Sequence, residues 1–125
     1  MIRPPRHRAL TEAVFVEALT AGGLTAGVKR PPTFPSTGPF LVLFLNGGTD
    51  ENLVAESNTV EVEAWATTKT AALQLMHKAT NALEAASFTR GLREVREDHP
   101  PVSLDTGVDG WHRYTTSFTA QQRTR

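Results

Sequence analysis

Between Asn58 and Leu83 the chain reads NTVEVEAWATTKTAALQLMHKATNAL, and there the apolar period changes abruptly from every second residue to every third or fourth. Val60, Val62, Ala64 and Ala66 alternate with Glu61, Glu63 and Trp65, which predicts a strand with one core face and one amphipathic face. Ala72, Met76, Ala79, Leu83 and Ala86 then recur at steps of four and three, widened by Leu73, Leu75 and Ala82, while Lys69, Gln74, Lys78, Asn81 and Glu84 fall outside the stripe. That spacing predicts an amphipathic helix. Thr67 or Thr68 supplies the cap, because a threonine hydroxyl accepts a hydrogen bond from a first-turn amide that has no partner inside the helix. A strand that becomes a helix with almost no linker leaves that helix to cover the sheet. Trp65, stranded among glutamates on the other face, needs a second helix or a neighbouring subunit to cover it.

The flanking sequence extends this picture. Leu10, Val14, Ala18 and Ala21, with Phe15 and Leu19 beside them, predict a first helix over residues 9–21 stopped by Gly22-Gly23. Residues 24–30 read as a brief strand, and RPPTFPSTGP as an extended, proline-punctuated connection. The unbroken apolar run FLVLFL, Phe40 to Leu45, predicts the central strand, covered on both faces and closed by a tight turn at Asn46-Gly47-Gly48. NGGTDENLVAES reads as a loop. Leu92 to Asp98 reads as a charged edge strand stopped by Pro100-Pro101, and SLDTGVDG as turns. In WHRYTTSFTA, His112, Tyr114, Thr116, Phe118 and Ala120 face one way and Trp111, Arg113, Thr115, Ser117 and Thr119 the other. The expected fold is α+β: a single mixed or antiparallel sheet of four to five strands with two main helices, in the order α-β-β-β-α-β-β. Residues 1–8, a basic arm, and 121–125, a fraying tail, are expected to be flexible.

With 125 residues, 39% apolar and 21% charged, the chain fits one domain with a real core. The absence of cysteine excludes disulfides, thiolate metal sites and a cysteine nucleophile. Thirteen basic residues balance thirteen acidic ones, so the whole chain lacks the electrostatic footprint of a duplex-binding domain. Glu12 and Glu17 interrupt what would otherwise resemble a signal peptide, and no apolar run is long enough for a membrane helix, so a soluble protein is expected.

Candidate chemistry is thin. His7, His77, His99 and His112 lack the close spacing of metal ligands. Asp98-His99 precedes two prolines, with no serine placed to complete a triad. LNGGTD has the glycines of a phosphate loop but not its Lys-Ser/Thr pair, and it does not open a helix. Glu61 and Glu63 are spaced as in any amphipathic strand. Arg3, Arg6 and Arg8 suit phosphate contacts, although short basic arms are commonly just termini. No cofactor or metal is implied.

VEVEAWATTKTAALQLMHKATNAL together with REVREDHPPVSLDTGVDGWHRYTTSFTA resembles the tail terminator proteins of long-tailed bacteriophages, particularly those infecting actinobacteria. In that family an alternating strand ending in Trp and Ala-Thr/Ser-Thr runs into a helix. An arginine-rich strand, a proline and aspartate loop and an Arg-Tyr/Phe strand follow. The resemblance covers residues 26–120 and departs from the pattern at Lys69, where relatives often carry an acid that suits the helix dipole. It implies a non-enzymatic virion protein at the junction of tail and neck, assembled in the host cytoplasm as a homo-hexameric ring that caps the tail tube. Its partners would be the major tail-tube protein and the head-completion stopper, with DNA only passing through the channel and no membrane involved. On this view Glu61, Glu63, Trp65, Arg93 and Arg96 would meet neighbouring subunits, and the acidic loops carrying Asp50, Glu51, Glu56, Asp105 and Asp109 would face the tube, the connector or the lumen. The alternatives are another head-closure connector, or a small cytoplasmic enzyme or ligand-binding domain using a pocket around Trp65 and Tyr114.

Overall fold

In the computed structural model, residues 6–49, 55–86 and 92–123 are described, with side chains at 13–44, 59–86 and 94–120. Helix α1 (Arg6–Ala21) leads into the short strand β1 (Ala26–Gly27), then β2 (Phe40–Thr49), β3 (Ala55–Ala66), helix α2 (Lys69–Ala85), β4 (Leu92–Glu97), β5 (Val102–Leu104) and β6 (His112–Arg123). The six strands form one mixed sheet in the order β1-β2-β3-β6-β4, with β5 also paired to β6; β1 runs parallel to β2 and the other pairings are antiparallel. This is the expected α+β architecture with one strand more than expected.

The chain reverses from β3 to β6 and from β6 to β4, so β3 and β4 are parallel and α2 carries the connection between them over the inserted β6. That crossover is why the period switch at Thr67 matters: it delivers α2 directly onto the sheet's core face. Thr68 caps it, its Oγ1 accepting from the Ala71 amide at 3.0 Å. Ala72, Met76, Ala79, Leu83 and Ala86 are all buried, as the spacing predicts. Thr68→Ala should destabilise the fold by about 0.5–2 kcal/mol, read as a fall in the urea midpoint at unchanged slope, because it leaves an orphan amide.

α1 starts at Arg6, inside the stretch expected to be a flexible arm. Among its described side chains, which begin at residue 13, Phe15, Ala18 and Leu19 are buried, Val14 is half-buried and Ala21 exposed. Over these residues the buried stripe is shifted from Val14 and Ala21 toward Phe15 and Leu19, while Leu10 lies outside the described side chains. Phe15 and Leu19 carry far more apolar area than the alanine they displace. The helix stops as expected: the Leu24 amide bonds Leu19 O at 3.1 Å, the Gly23 amide bonds Thr20 O at 3.0 Å, and Gly23 takes the left-handed φ of 85°. This is a Schellman ending, and Gly23 is the residue type that adopts it without strain.

Three further expectations change. The strand expected to be central, β2, has only the two-residue β1 on its outer side; β3 and β6, paired over twelve residues, form the middle of the sheet. The expected loop at 46–57 is mostly ladder: β2 reaches Thr49 and β3 begins at Ala55, with a register shift between Leu45 and Gly48 where a turn was expected. Glycines there let the strand absorb a bulge. The tail expected to fray is paired, Gln121 to Arg123 lying opposite Ser57 to Ala55.

Candidate docking surface on the helix-free sheet face

The ladder registers turn alternation into a grid. On the helix side, Leu41, Leu43, Val60, Val62, Ala64, Val95, Phe118 and Ala120 pack with Phe15, Leu19, Met76 and Leu83 into the main core. The other face carries three rows across the strands: Phe40, Trp65, Arg113 and Leu104; then Val42, Glu63, Thr115 and Val102; then Phe44, Glu61 and Ser117. Among the described residues, no helix covers these rows.

The first row is covered by the chain's own loops. The proline-rich connection folds back so that Phe34 sits edge-on to Phe40 and Trp65, each at 5.6 Å between centroids, while Trp65 stacks on Phe40 at 5.6 Å and 14° and Trp111 leans on Phe34 at 5.0 Å. Trp65 is thereby left 5% exposed. The expectation that a second helix or a neighbouring subunit covers it is corrected: an aromatic flanked by prolines in an apparent linker does so. The signal was present in RPPTFPSTGP, whose lone Phe34 gives that segment something to bury.

Most buried polar groups beside this cluster are paired, although Arg113 Nε is buried without a hydrogen-bond partner. Trp65 Nε1 donates to Glu63 Oε1 at 3.1 Å, and Arg113 Nη1 meets Glu63 Oε2 at 3.1 Å. Arg113 Nη2 also donates to the Asp105 carbonyl, and its guanidinium lies 5.4 Å from the Trp65 ring. Thr115 Oγ1 donates to Glu61 Oε2 at 3.1 Å. Glu63 and Trp65 therefore form an internal network, with the carboxylate charge compensated by Arg113. Farther along, Asp98 accepts from Ser117 Oγ and Thr119 Oγ1 at 2.9 Å.

Around and beyond the first row the face mixes polar and apolar side chains, and among the described residues several large apolar ones stay exposed. Phe44, Val102 and Leu104 are 43%, 49% and 41% exposed and project from it by register, and exposed Val28 lines the same region. These, with Val60 to Phe118 on the other side, make up a sheet that is dry on one face and half-dressed on the other. Phe44 was hidden in FLVLFL, where the alternation of Phe40, Val42 and Phe44 was masked by the leucines between them. A cavity of about 420 Å³ opens here, floored by Val42, Phe44 and Trp65 and rimmed by Lys29, Arg30 and Arg113.

Of the residues singled out from sequence, Glu61 is half-buried on this face, Glu63 and Trp65 are buried beneath it, and Arg96 is exposed opposite Thr119. Asp105 and Asp109 are exposed in the β5–β6 connection, where Asp105 Oδ1 accepts from the Gly107 amide at 3.1 Å and builds the turn. Glu56 belongs to β3 and not to a loop. Asp50 and Glu51, and the side chains of Glu56 and Arg93, lie outside the described residues. Tyr114 packs on the main core and Trp65 on the opposite face, so the pocket imagined to use both does not form. Among the described residues, no group of three or more His, Asp or Glu is arranged to hold a metal ion, and no helix is long and apolar enough to cross a membrane.

These elements define a single-sheet α+β domain whose second sheet face is a candidate contact surface. The fold is similar to that of a chain in the virion of a native gene transfer agent particle, with a TM-score of 0.59 over 94% of this chain and 90% of that one at 14% identity. At that identity the likeness is one of fold. No protein-family model and no curated protein matches the chain.

Proposed function

We propose that the protein is a structural subunit of a phage-like virion, acting as a homo-hexameric ring that caps the tail tube, stops its polymerisation and joins it to the head-completion stopper. The observation that carries this reading is the helix-free sheet face, where Phe44, Val102 and Leu104 stand exposed beside the Glu63–Arg113–Trp65 network. An isolated domain gains nothing from leaving these side chains in water, whereas a neighbour seated there removes them from it. The fold likeness to a virion chain supports the same class.

A closed head-to-tail ring needs two different patches on each subunit. Glu61 and Arg96 on the open face and the buried support of Glu63 and Trp65 belong to one of them in this proposal. The connection bearing Asp105 and Asp109, and the stretch carrying Asp50, Glu51 and Glu56, would face the tube, the stopper or the channel in this proposal. Acidic side chains lining a channel repel passing DNA.

The test is a tail-assembly reaction with the major tail-tube protein. Added protein should halt tube growth and yield tubes of limited length bearing a six-fold ring at one end. Tubes that grow equally long with and without it exclude the capping role, and protein found on a portal or adaptor complex instead assigns it to head closure.

A further inference from the structure

We infer that the cavity rimmed by Lys29, Arg30 and Arg113 is a docking site for an acidic segment of a partner protein, one that presents a carboxylate next to an apolar side chain. Arg30 is the central observation. Its guanidinium is held over two rings, 4.9 Å from the centroid of Phe34 and 5.7 Å from that of Trp65. Among the described residues it has neither a hydrogen bond nor an ion pair, unlike Arg113, which is committed to Glu63 and to the Asp105 carbonyl. A guanidinium fixed by ring stacking keeps its N–H edges for an outside acceptor, and its planar fork matches a carboxylate.

The surroundings select the class of occupant. Three cations rim the cavity against the single carboxylate of Glu63, which Arg113 already neutralises, so Lys29 and Arg30 carry uncompensated positive charge. The floor of Val42, Phe44 and Trp65 is apolar, which suits the neighbouring side chain of an extended peptide. A polynucleotide fits less well: Glu61 stands opposite Phe44, and exposed Asp98 lies farther along the same face, so consecutive phosphates would meet carboxylates.

This inference rests on the open face being a contact surface and adds the chemistry of what it contacts. The probe is acetyl-Asp-Leu-Val-amide, titrated into the intact protein while the Trp65 indole signal is followed by NMR. A saturable shift is expected, weakening with added salt, and at least tenfold weaker binding for acetyl-Asn-Leu-Val-amide and for the Arg30→Gln variant. Arg30 is exposed, so signals from the core around Phe118 should be unchanged in that variant and report an intact fold. Equal affinity for the Asn peptide, full binding by Arg30→Gln, no shift at all, or tighter binding of a dT5 oligonucleotide would each overturn the site. Tube capping without peptide binding would remove the site alone; peptide binding without capping would remove the ring reading alone.

Discussion

Trp65→Ala is expected to cost about 3–5 kcal/mol, a large part of the 5–15 kcal/mol that a domain of this size has in total. The indole is packed between Phe34 and Phe40, with the guanidinium groups of Arg30 and Arg113 against it, and it is 5% exposed. Truncation leaves a void beside Phe34 and Phe40, and it removes the donor that holds Glu63 Oε1. Urea denaturation should show the midpoint falling by about 1–3 M at unchanged slope. Trp65→Phe should lose less than half as much, since the ring contacts survive and only the indole donor and part of the area are gone. If both variants lose less than about 1 kcal/mol, the aromatic cluster is not a second core.

The second large effect concerns assembly and spares the fold. Phe44→Glu combined with Val102→Glu places carboxylates at two exposed positions of the open face, so stability should change by no more than about 1 kcal/mol. In a ring both carboxylates would be taken out of water, and the one at position 102 would lie on the row of Glu63 and Thr115, so association should weaken roughly a hundredfold or more. Lys78→Glu, on the exposed side of α2, should leave association within a few-fold of the parent. Sedimentation velocity across a concentration series reads all three. Equal association by the double variant would mean that Phe44 and Val102 lie outside the contact.

Much of this architecture is legible in the sequence where local and tertiary demands agree. The α2 stripe from Ala72 to Ala86 and the two-faced alternation of Val60 to Ala66 and of Trp111 to Ala120 are consequences of periods that any packing of these elements must respect. The errors arise where a distant element overrides a local signal. β5 forms from Val102–Leu104, after two prolines and before a turn, because β6 runs twelve residues and leaves an edge free beyond β4 for Ser103 to pair with Tyr114. Asn46-Gly47-Gly48 reads as a turn, but β3 lies alongside and the ladder continues through a shifted register.

The polar residues of the helix-free face stand out in the sequence, whereas its exposed apolar residues are hidden there. Glu61, Glu63 and Trp65 stand out because glutamates alternating with a tryptophan conflict with a plain core strand. What covers Trp65 could not be read from its neighbours in sequence, since Phe34 and Trp111 come from segments 31 and 46 positions away. Phe44 looks like an ordinary strand residue, and Val102 and Leu104 fall in a stretch that reads as a proline stop and turns, until the register puts all three on the helix-free face.

The central claim, that this face is buried by a partner in the assembled particle, can be tested by a single labelling measurement. The chain has no cysteine, so Val102→Cys and Lys78→Cys each create a unique thiol at an exposed position, one on the open face and one on α2. Maleimide labelling is followed for each variant with and without assembled tail tubes. Capped tubes should slow the reaction at Val102→Cys at least tenfold and leave Lys78→Cys within about twofold. Unchanged labelling at Val102→Cys in particles that contain the protein would contradict the account.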